Sequence, residues 1–171
     1  MTLLALNASH STGSSTHHVA ARAVELHGSG RVVDLATLDP AGLLGTGRDD
    51  EVTVLLEEVA RCDTLVLVTP IYRATYSGLL KVLFDQLPPE SLRGVPCVLA
   101  ATAASPAHFL ALDTGFRSLV ASLGGWSVPT VVYATPADLD RDKRPLAAVD
   151  GALGAALSEA DVIRRSGRPA R

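Results

Sequence analysis

An open parallel α/β sheet, covered by helices on both faces, is the fold class this sequence predicts, and three observations predict it. Short apolar runs recur at residues 3–6, 31–35, 65–68, 95–102 and 130–133. Several of these runs carry almost no polar residue, as strands buried on both faces require. Between successive runs the apolar residues take helical spacing, so strand and helix alternate along the chain. A length of 171 residues suits one well-buried domain and is too short for two ordinary ones. Residues 1–164 are therefore expected to form a single domain, with residues 165–171 a disordered tail.

Residues 3–6 make a candidate central strand. The opening Met1-Thr2-Leu3-Leu4-Ala5-Leu6-Asn7 lacks the basic start and long apolar core of a signal peptide. A helix is expected over 16–27, with Val19, Ala23 and Leu26 on one face and Gly28 as its stop. Residues 31–35 read as the second strand. Residues 39–48 hold one Pro and three Gly and read as loop. Asp49-Asp50-Glu51 then place three acids at a helix start, where the macrodipole favours them, and Val52, Leu55, Leu56 and Val59 follow at helical spacing.

The third strand, 65–68, passes through a proline-stiffened loop carrying Tyr72, Arg73 and Tyr76 into a helix over 77–87, ended by Pro88-Pro89. In the fourth strand, 95–102, Pro96 sits near the start, where no ladder donor is needed. Phe109, Leu112, Phe116, Leu119 and Leu123 mark one helical face closed by Gly124-Gly125. Residues 130–133 are the fifth strand and 138–145 a charged loop. A last helix over 146–164 turns Leu146, Val149, Leu153, Ala156, Ala160 and Ile163 inward. Five such strands with right-handed crossovers fit the flavodoxin-like three-layer sandwich, a five-stranded parallel sheet in the order 2-1-3-4-5.

Composition narrows the function classes. Hydrophobic residues make up 47% and charged residues 19%, so a packed core is expected and disorder is not. A net charge of −3 argues against nucleic acid as the main partner. No apolar run approaches the ~20 residues a membrane span requires, so a soluble cytoplasmic protein is expected. Cys62 and Cys97 match no metal or redox spacing and read as reduced, buried thiols. His17 and His18 are adjacent and point to different sides of a helix start, which does not suit metal binding.

Ligands of open α/β sheets sit beyond the carboxyl ends of strands, so the strand-to-helix loops are the candidate sites. The first loop offers Ser9, Ser11, Thr12, Ser14, Ser15 and Thr16, with unpaired N–H groups at the helix start behind them. These suit a dianionic phosphate without a lysine; the plainer alternative is a polar loop in which one serine caps the helix. A Gly-x4-Gly-Lys-Ser/Thr loop is absent, which excludes the usual nucleoside triphosphate site. No Gly-x-Gly-x-x-Gly follows a strand, and no Gly-x-Ser-x-Gly appears, so neither a dinucleotide-binding half nor a serine hydrolase is indicated. Lys81 and Asp85 read as an i,i+4 ion pair, and His108 falls in the loop after the fourth strand.

The stretch Thr69-Pro70-Ile71-Tyr72-Arg73-Ala74-Thr75-Tyr76-Ser77-Gly78-Leu79-Leu80-Lys81 resembles the signature of the NADPH-dependent FMN reductases. Among them it is most similar to the sulfonate-utilisation reductases, which feed reduced FMN to a partner monooxygenase. The resemblance covers roughly residues 1 to 135, including the loop from Ser9 to Thr16 and the segment from Leu99 to Asp113. It implies that the FMN phosphate lies against Ser9, Ser14, Ser15 and Thr16. Pro70, Ile71, Tyr72 and Arg73 would line the ribityl chain and the ring edge. Thr102, Ala103, Ala104 and Ser105 would close the pyrimidine side through backbone N–H groups. NADPH would stack its nicotinamide on the exposed flavin face and pass hydride to the flavin, with no side chain acting as acid or base.

The chain departs from the family pattern at three places. Ala8 and Ala103-Ala104 stand where glycines are usual, and Asp113-Thr114-Gly115 stands where the sulfonate-linked reductases often insert an aromatic. Alanine in such loops costs about 1 kcal/mol or more if φ is positive. Two other readings remain beside FMN reduction: an FMN-bound quinone or azo reductase, and a flavodoxin-like binding or electron-carrier protein with a weak or lost flavin site. The apolar excess of helix 77–87 (Leu79, Leu80, Val82, Leu83, Phe84, Leu87) predicts a subunit interface, and the family resemblance implies a homodimer or homotetramer built on that helix.

Overall fold

The chain runs in the alternation its sequence predicts. In a computed structural model that describes residues 2–166, the elements in order are β1 (Leu3–Asn7), α1 (Ser15–His27), β2 (Arg31–Asp34), α2 (Pro40–Leu43), α3 (Asp50–Arg61), β3 (Thr64–Pro70) and α4 (Gly78–Phe84). Then come β4 (Pro96–Thr102), α5 (Arg117–Ser122), β5 (Trp126–Ser127), β6 (Val132–Ala134) and α6 (Ala147–Arg165). The sheet is parallel throughout and ordered β2-β1-β3-β4-β5, with β6 also on β4. This is the flavodoxin-like order.

The expected fifth strand is divided. β5 pairs with Pro96 and Cys97, and β6 pairs with Ala100 to Thr102, along one track. Ser127 lies opposite Cys97 and Val132 opposite Ala100, so residues 128–131 face only Val98 and Leu99. The excess bulges out at Pro129, which has no N–H for the ladder.

Alternation along the strands builds two cores. Leu4, Leu6, Leu65, Leu67 and Leu99 face α3, α4 and α5, while Leu3, Ala5, Val66, Val68 and Val98 face α1 and α6. The helix ends follow the residue types. Ser14, Asp49 and Ser77 cap α1, α3 and α4 through side-chain oxygens, and Gly28 ends α1 at φ 79°.

Other expectations shift. Leu26 is exposed, and α1 instead buries Thr16, Val19, Ala20 and Ala23. The loop 39–48 contains α2, started by Asp39 with Pro40 at its first position. Leu146 is the exposed cap residue of α6, whose buried face begins at Val149. Phe109 is exposed and precedes the helix, which opens as a wide π-helical turn, Leu112–Phe116, at the Asp113-Thr114-Gly115 departure. α6 extends through Arg165, and beyond Ser166 the expected tail lies outside the described residues. Among the described residues no helix is long and apolar enough to cross a membrane.

Candidate functional site

Because every strand is parallel, the loops after β1, β3, β4 and β6 all reach the same edge of the sheet. The first is folded back by its own polar groups. Asn7 Oδ1 accepts from the Ser9 N–H at 3.1 Å, and Ser9 Oγ accepts from the Ser11 N–H at 3.2 Å. Asn7 Nδ2 donates to Asp34 at 2.7 Å, which fixes the amide, and His17 Nδ1 lies 2.8 Å from the same carboxylate oxygen. Ser14 Oγ takes the His17 N–H, so the N–H groups of Ser15 and Thr16 are left without intrahelical acceptors. The Thr16 hydroxyl lies buried against that of Thr102 at 2.8 Å, tying α1 to the end of β4.

The loop after β3 is thrown up as a stiff wall. The Ile71 N–H donates to Thr102 O at 2.8 Å. Tyr72 and Thr75 then exchange backbone hydrogen bonds at 3.0 and 3.1 Å, closing a tight turn. Its central residues, Arg73 (φ 53°) and Ala74 (φ 61°), are both left-handed, the arrangement that normally selects Asn-Gly. Ser77 fastens the far end: its N–H donates to Thr69 Oγ1 at 2.9 Å and its hydroxyl to Ala8 O at 2.7 Å.

In the third loop the Ala103 N–H donates to Ala134 O at 3.0 Å, leaving the Ala104 and Ser105 N–H groups as the donors of this segment. Ser105 starts a short helical turn, Pro106–His108, and its carbonyl accepts from the Tyr133 hydroxyl at 2.7 Å. Burial pushes the Tyr133 phenol up. Neither Ala103, Ala104 nor Ala8 has positive φ, so the alanines that replace the family's usual glycines carry no backbone strain. The fourth loop opens on Thr135, whose hydroxyl and N–H donate to Asp138 at 2.7 and 2.8 Å and hold that carboxyl below the usual range.

These loops enclose a cleft of two joined lobes. One, of about 320 Å³, is lined by Ser9, Ser11 to Thr16 and Lys143. The other, of about 360 Å³, is walled by Ile71 and Ala103-Ala104 and by Ala134, Pro136 and Leu139. Pro70, Tyr72, Thr102 and Ser15 border both. Ten of the expected residues thus meet here: Ser9, Ser14, Ser15, Thr16, Pro70, Ile71, Tyr72, Thr102, Ala103 and Ala104. Arg73 sits exposed at the turn tip and Ser105 just beyond the lining.

Sequence reasoning passed over the fourth wall, Thr135, Pro136, Leu139 and Lys143. The signal was present, since this loop also leaves the carboxyl end of a strand. His108 is exposed and does not line the cleft. Lys81 and Asp85 form the expected ion pair on α4. Among the described residues no group of His, Cys, Asp or Glu is placed to hold a metal. A hollow of similar volume, about 290 Å³, at Thr2, Arg31, Glu58 and Cys62 collects none of these loops.

The family model for NADPH-dependent FMN reductase matches residues 1–140. NADH-dependent FMN reductase SfnF of Pseudomonas putida is 35% identical over 111 residues, 65% of this chain and 60% of that protein. FMN reductase (NADPH) of Pseudomonas aeruginosa is 36% identical over 109 residues, 64% of this chain and 59% of that protein. The matched region therefore spans about three-fifths of the length of these relatives. Among solved structures, the apo form of the NADH:FMN oxidoreductase EMOB superposes with a TM-score of 0.84 at 29% identity, covering 99% of this chain and 91% of that one. With the family pattern running through 140 of its 171 residues, the chain belongs to the NADPH-dependent FMN reductase family.

Proposed function

We propose that this chain is a cytoplasmic NAD(P)H-dependent FMN reductase that supplies reduced FMN to a partner flavin-dependent monooxygenase. The observation that carries the reading is the two-part cleft, a hydroxyl-rich lobe at a helix start joined to a largely apolar lobe. FMN has the same two parts, a dianionic phosphate and a flat apolar ring. The Ser15 and Thr16 N–H groups and the hydroxyls of Ser9, Ser14 and Ser15 suit the phosphate. Pro70, Ile71 and Tyr72 suit the ribityl chain and ring edge, with Arg73 above them at the turn tip. Thr102, Ala103 and Ala104 form the opposite wall, with the N–H groups of Ala104 and Ser105 toward the pyrimidine side.

FMN held in this cleft would supply the redox chemistry, as the acceptor of a hydride from a reduced nicotinamide. The chain's own part is to bind and align. Among the described residues the second lobe has no carboxylate, imidazole or amine in its lining, which supports a reaction needing no acid or base from the protein. Its one lining aromatic, Tyr72, is about half exposed. A cleft without aromatic plates on both ring faces supports exchangeable flavin over the permanently held flavin of an electron carrier.

The test is NAD(P)H oxidation followed by loss of nicotinamide absorbance as FMN is varied. The expected result is a colourless protein whose rate saturates with added FMN. No flavin-dependent oxidation overturns the proposal, and tightly bound flavin with quinone reduction favours the quinone or azo reductase. The reading includes a homodimer or homotetramer built on α4. Leu79 and Val82 there border an apolar groove of about 320 Å³ shared with Leu38, Leu43 and Leu44.

A further inference from the structure

The first loop contains no lysine or arginine, yet the phosphate lobe is not without a cation. Lys143 lines it from the opposite side, its Nζ donating to Gly13 O at 3.3 Å across 130 residues of sequence. It lies three positions beyond residue 140, where the family match ends.

The turn that presents Lys143 is built to aim it. Leu139 and Pro145 pair as an antiparallel bridge at the base of the loop. Inside it Asp140 Oδ1 accepts from the N–H groups of Asp142 and Arg144 at 2.8 and 2.9 Å. The Asp140 N–H donates to Arg144 O, and the Lys143 N–H to Asp140 O, both at 2.9 Å. Lys143 itself is left-handed, at φ 63°, a conformation that costs a non-glycine residue about 1–2 kcal/mol. The side chain leaves this turn over the first loop. An ammonium has three donors, and Gly13 O occupies one of them, so two are available to phosphate oxygens.

The neighbouring cations are disposed elsewhere. Arg141 pairs with Asp142 at 3.8 Å, Arg144 borders a separate hollow between α1 and α6, and Arg73 stands at the turn tip outside both lobes. The segment 138–144 carries Asp138, Asp140 and Asp142 against Arg141, Lys143 and Arg144, so its charges cancel and it offers a placed donor rather than a broad positive field.

We infer that Lys143 is the charged partner of the flavin phosphate and sets this protein's preference for FMN over unphosphorylated riboflavin. The inference rests on the FMN reading of the cleft. A charge-assisted hydrogen bond is roughly twice as strong as a neutral one, which sets the size of the expected effect.

Flavin fluorescence quenching, titrated with FMN and with riboflavin, tests it on the full chain. In Lys143→Gln, FMN affinity falls about tenfold while riboflavin affinity changes less than about twofold. Lys143→Arg restores most of the FMN preference. Asp140→Ala, which removes the brace and leaves the ammonium, lowers the preference by a smaller factor. Added salt weakens FMN binding more in the wild type than in Lys143→Gln. An unchanged FMN-to-riboflavin ratio in Lys143→Gln overturns the inference while leaving the FMN reading intact. Binding of neither flavin by the wild type overturns both.

Discussion

Ala74 and Ala103 are the same residue in two loops of one cleft, and the backbone treats them in opposite ways. Ala74 holds φ 61° inside the Tyr72–Thr75 turn, beside Arg73 at φ 53°. Ala103 has no positive φ, and its N–H is already satisfied by Ala134 O. A left-handed alanine costs about 1–2 kcal/mol, whereas glycine in place of an unstrained alanine costs about 0.4–1 kcal/mol through the unfolded chain. Ala74→Gly is therefore expected to stabilise the protein, by up to about 1 kcal/mol, because relief of strain exceeds the entropy lost. Ala103→Gly is expected to destabilise it by about 0.4–1 kcal/mol. Urea midpoints of the two variants check this, and a shift of the same sign in both would refute it. The strained turn carries Tyr72 beside the cleft, whereas the third loop reaches the cleft without strain.

Between elements, a buried hydroxyl pair ties the first and third walls of the cleft together. Thr16 on α1 and Thr102 at the end of β4 share a hydrogen bond of 2.8 Å, and both are at least nine-tenths buried. Replacing either by valine keeps the shape and leaves the other hydroxyl short of its partner, at a cost of about 1–3 kcal/mol. The double variant Thr16→Val/Thr102→Val removes both polar groups and is expected to lose less than the sum of the singles, a non-additivity of about 0.5 kcal/mol or more. Thermal or denaturant unfolding of the four proteins gives the cycle, and strict additivity would show that the pair does not couple the elements.

This link also marks what the sequence could reveal. Strands β1, β3 and β4 were legible because their runs are apolar on both faces, and α1, α3 and α4 from their helical apolar spacing together with the Gly28 stop, the Asp49-Asp50-Glu51 start and the Pro88-Pro89 end. Thr16 and Thr102 were legible as candidate site residues, but not as partners, since only the parallel order brings them together. The divided β5–β6 track was hidden because Val131, Val132 and Tyr133 are strand-like in isolation. Phe109 kept the helical period and yet lies exposed, since its ring packs edge-on to Tyr133 at 5.5 Å outside the core. Lys143 sits in a charged turn with no local mark of function, and its role follows from where the last crossover sets that turn down.

At the scale of the whole molecule, the apolar groove along α2 and α4 is the surface proposed above for assembly. Leu44 is 60% exposed on its rim, and Leu79 and Val82 are only partly buried on its floor. Stable association buries on the order of 1,000 Å² or more, which a helix as short as α4 cannot supply alone. Exposed Ala36, Pro40 and Leu44 extend the same apolar face, above Leu35, Leu38 and Leu43, which are buried in the core. His10 also borders this groove, and its ring lies 5.6 Å from that of Tyr72, so the groove adjoins one wall of the cleft. A second copy seated here would finish the groove and steady that wall together. Light scattering is expected to give two or four times the 17.8 kDa chain mass. Leu44→Asp, which puts a charge into the rim, is expected to shift the protein to 17.8 kDa and to weaken FMN binding. Val54→Asp is the control: Val54 is 55% exposed on α3, away from the groove, so its substitution is expected to change neither mass nor affinity. A wild-type mass of one chain at all concentrations would refute the assembly. A monomeric Leu44→Asp variant with unchanged FMN affinity would separate assembly from the site.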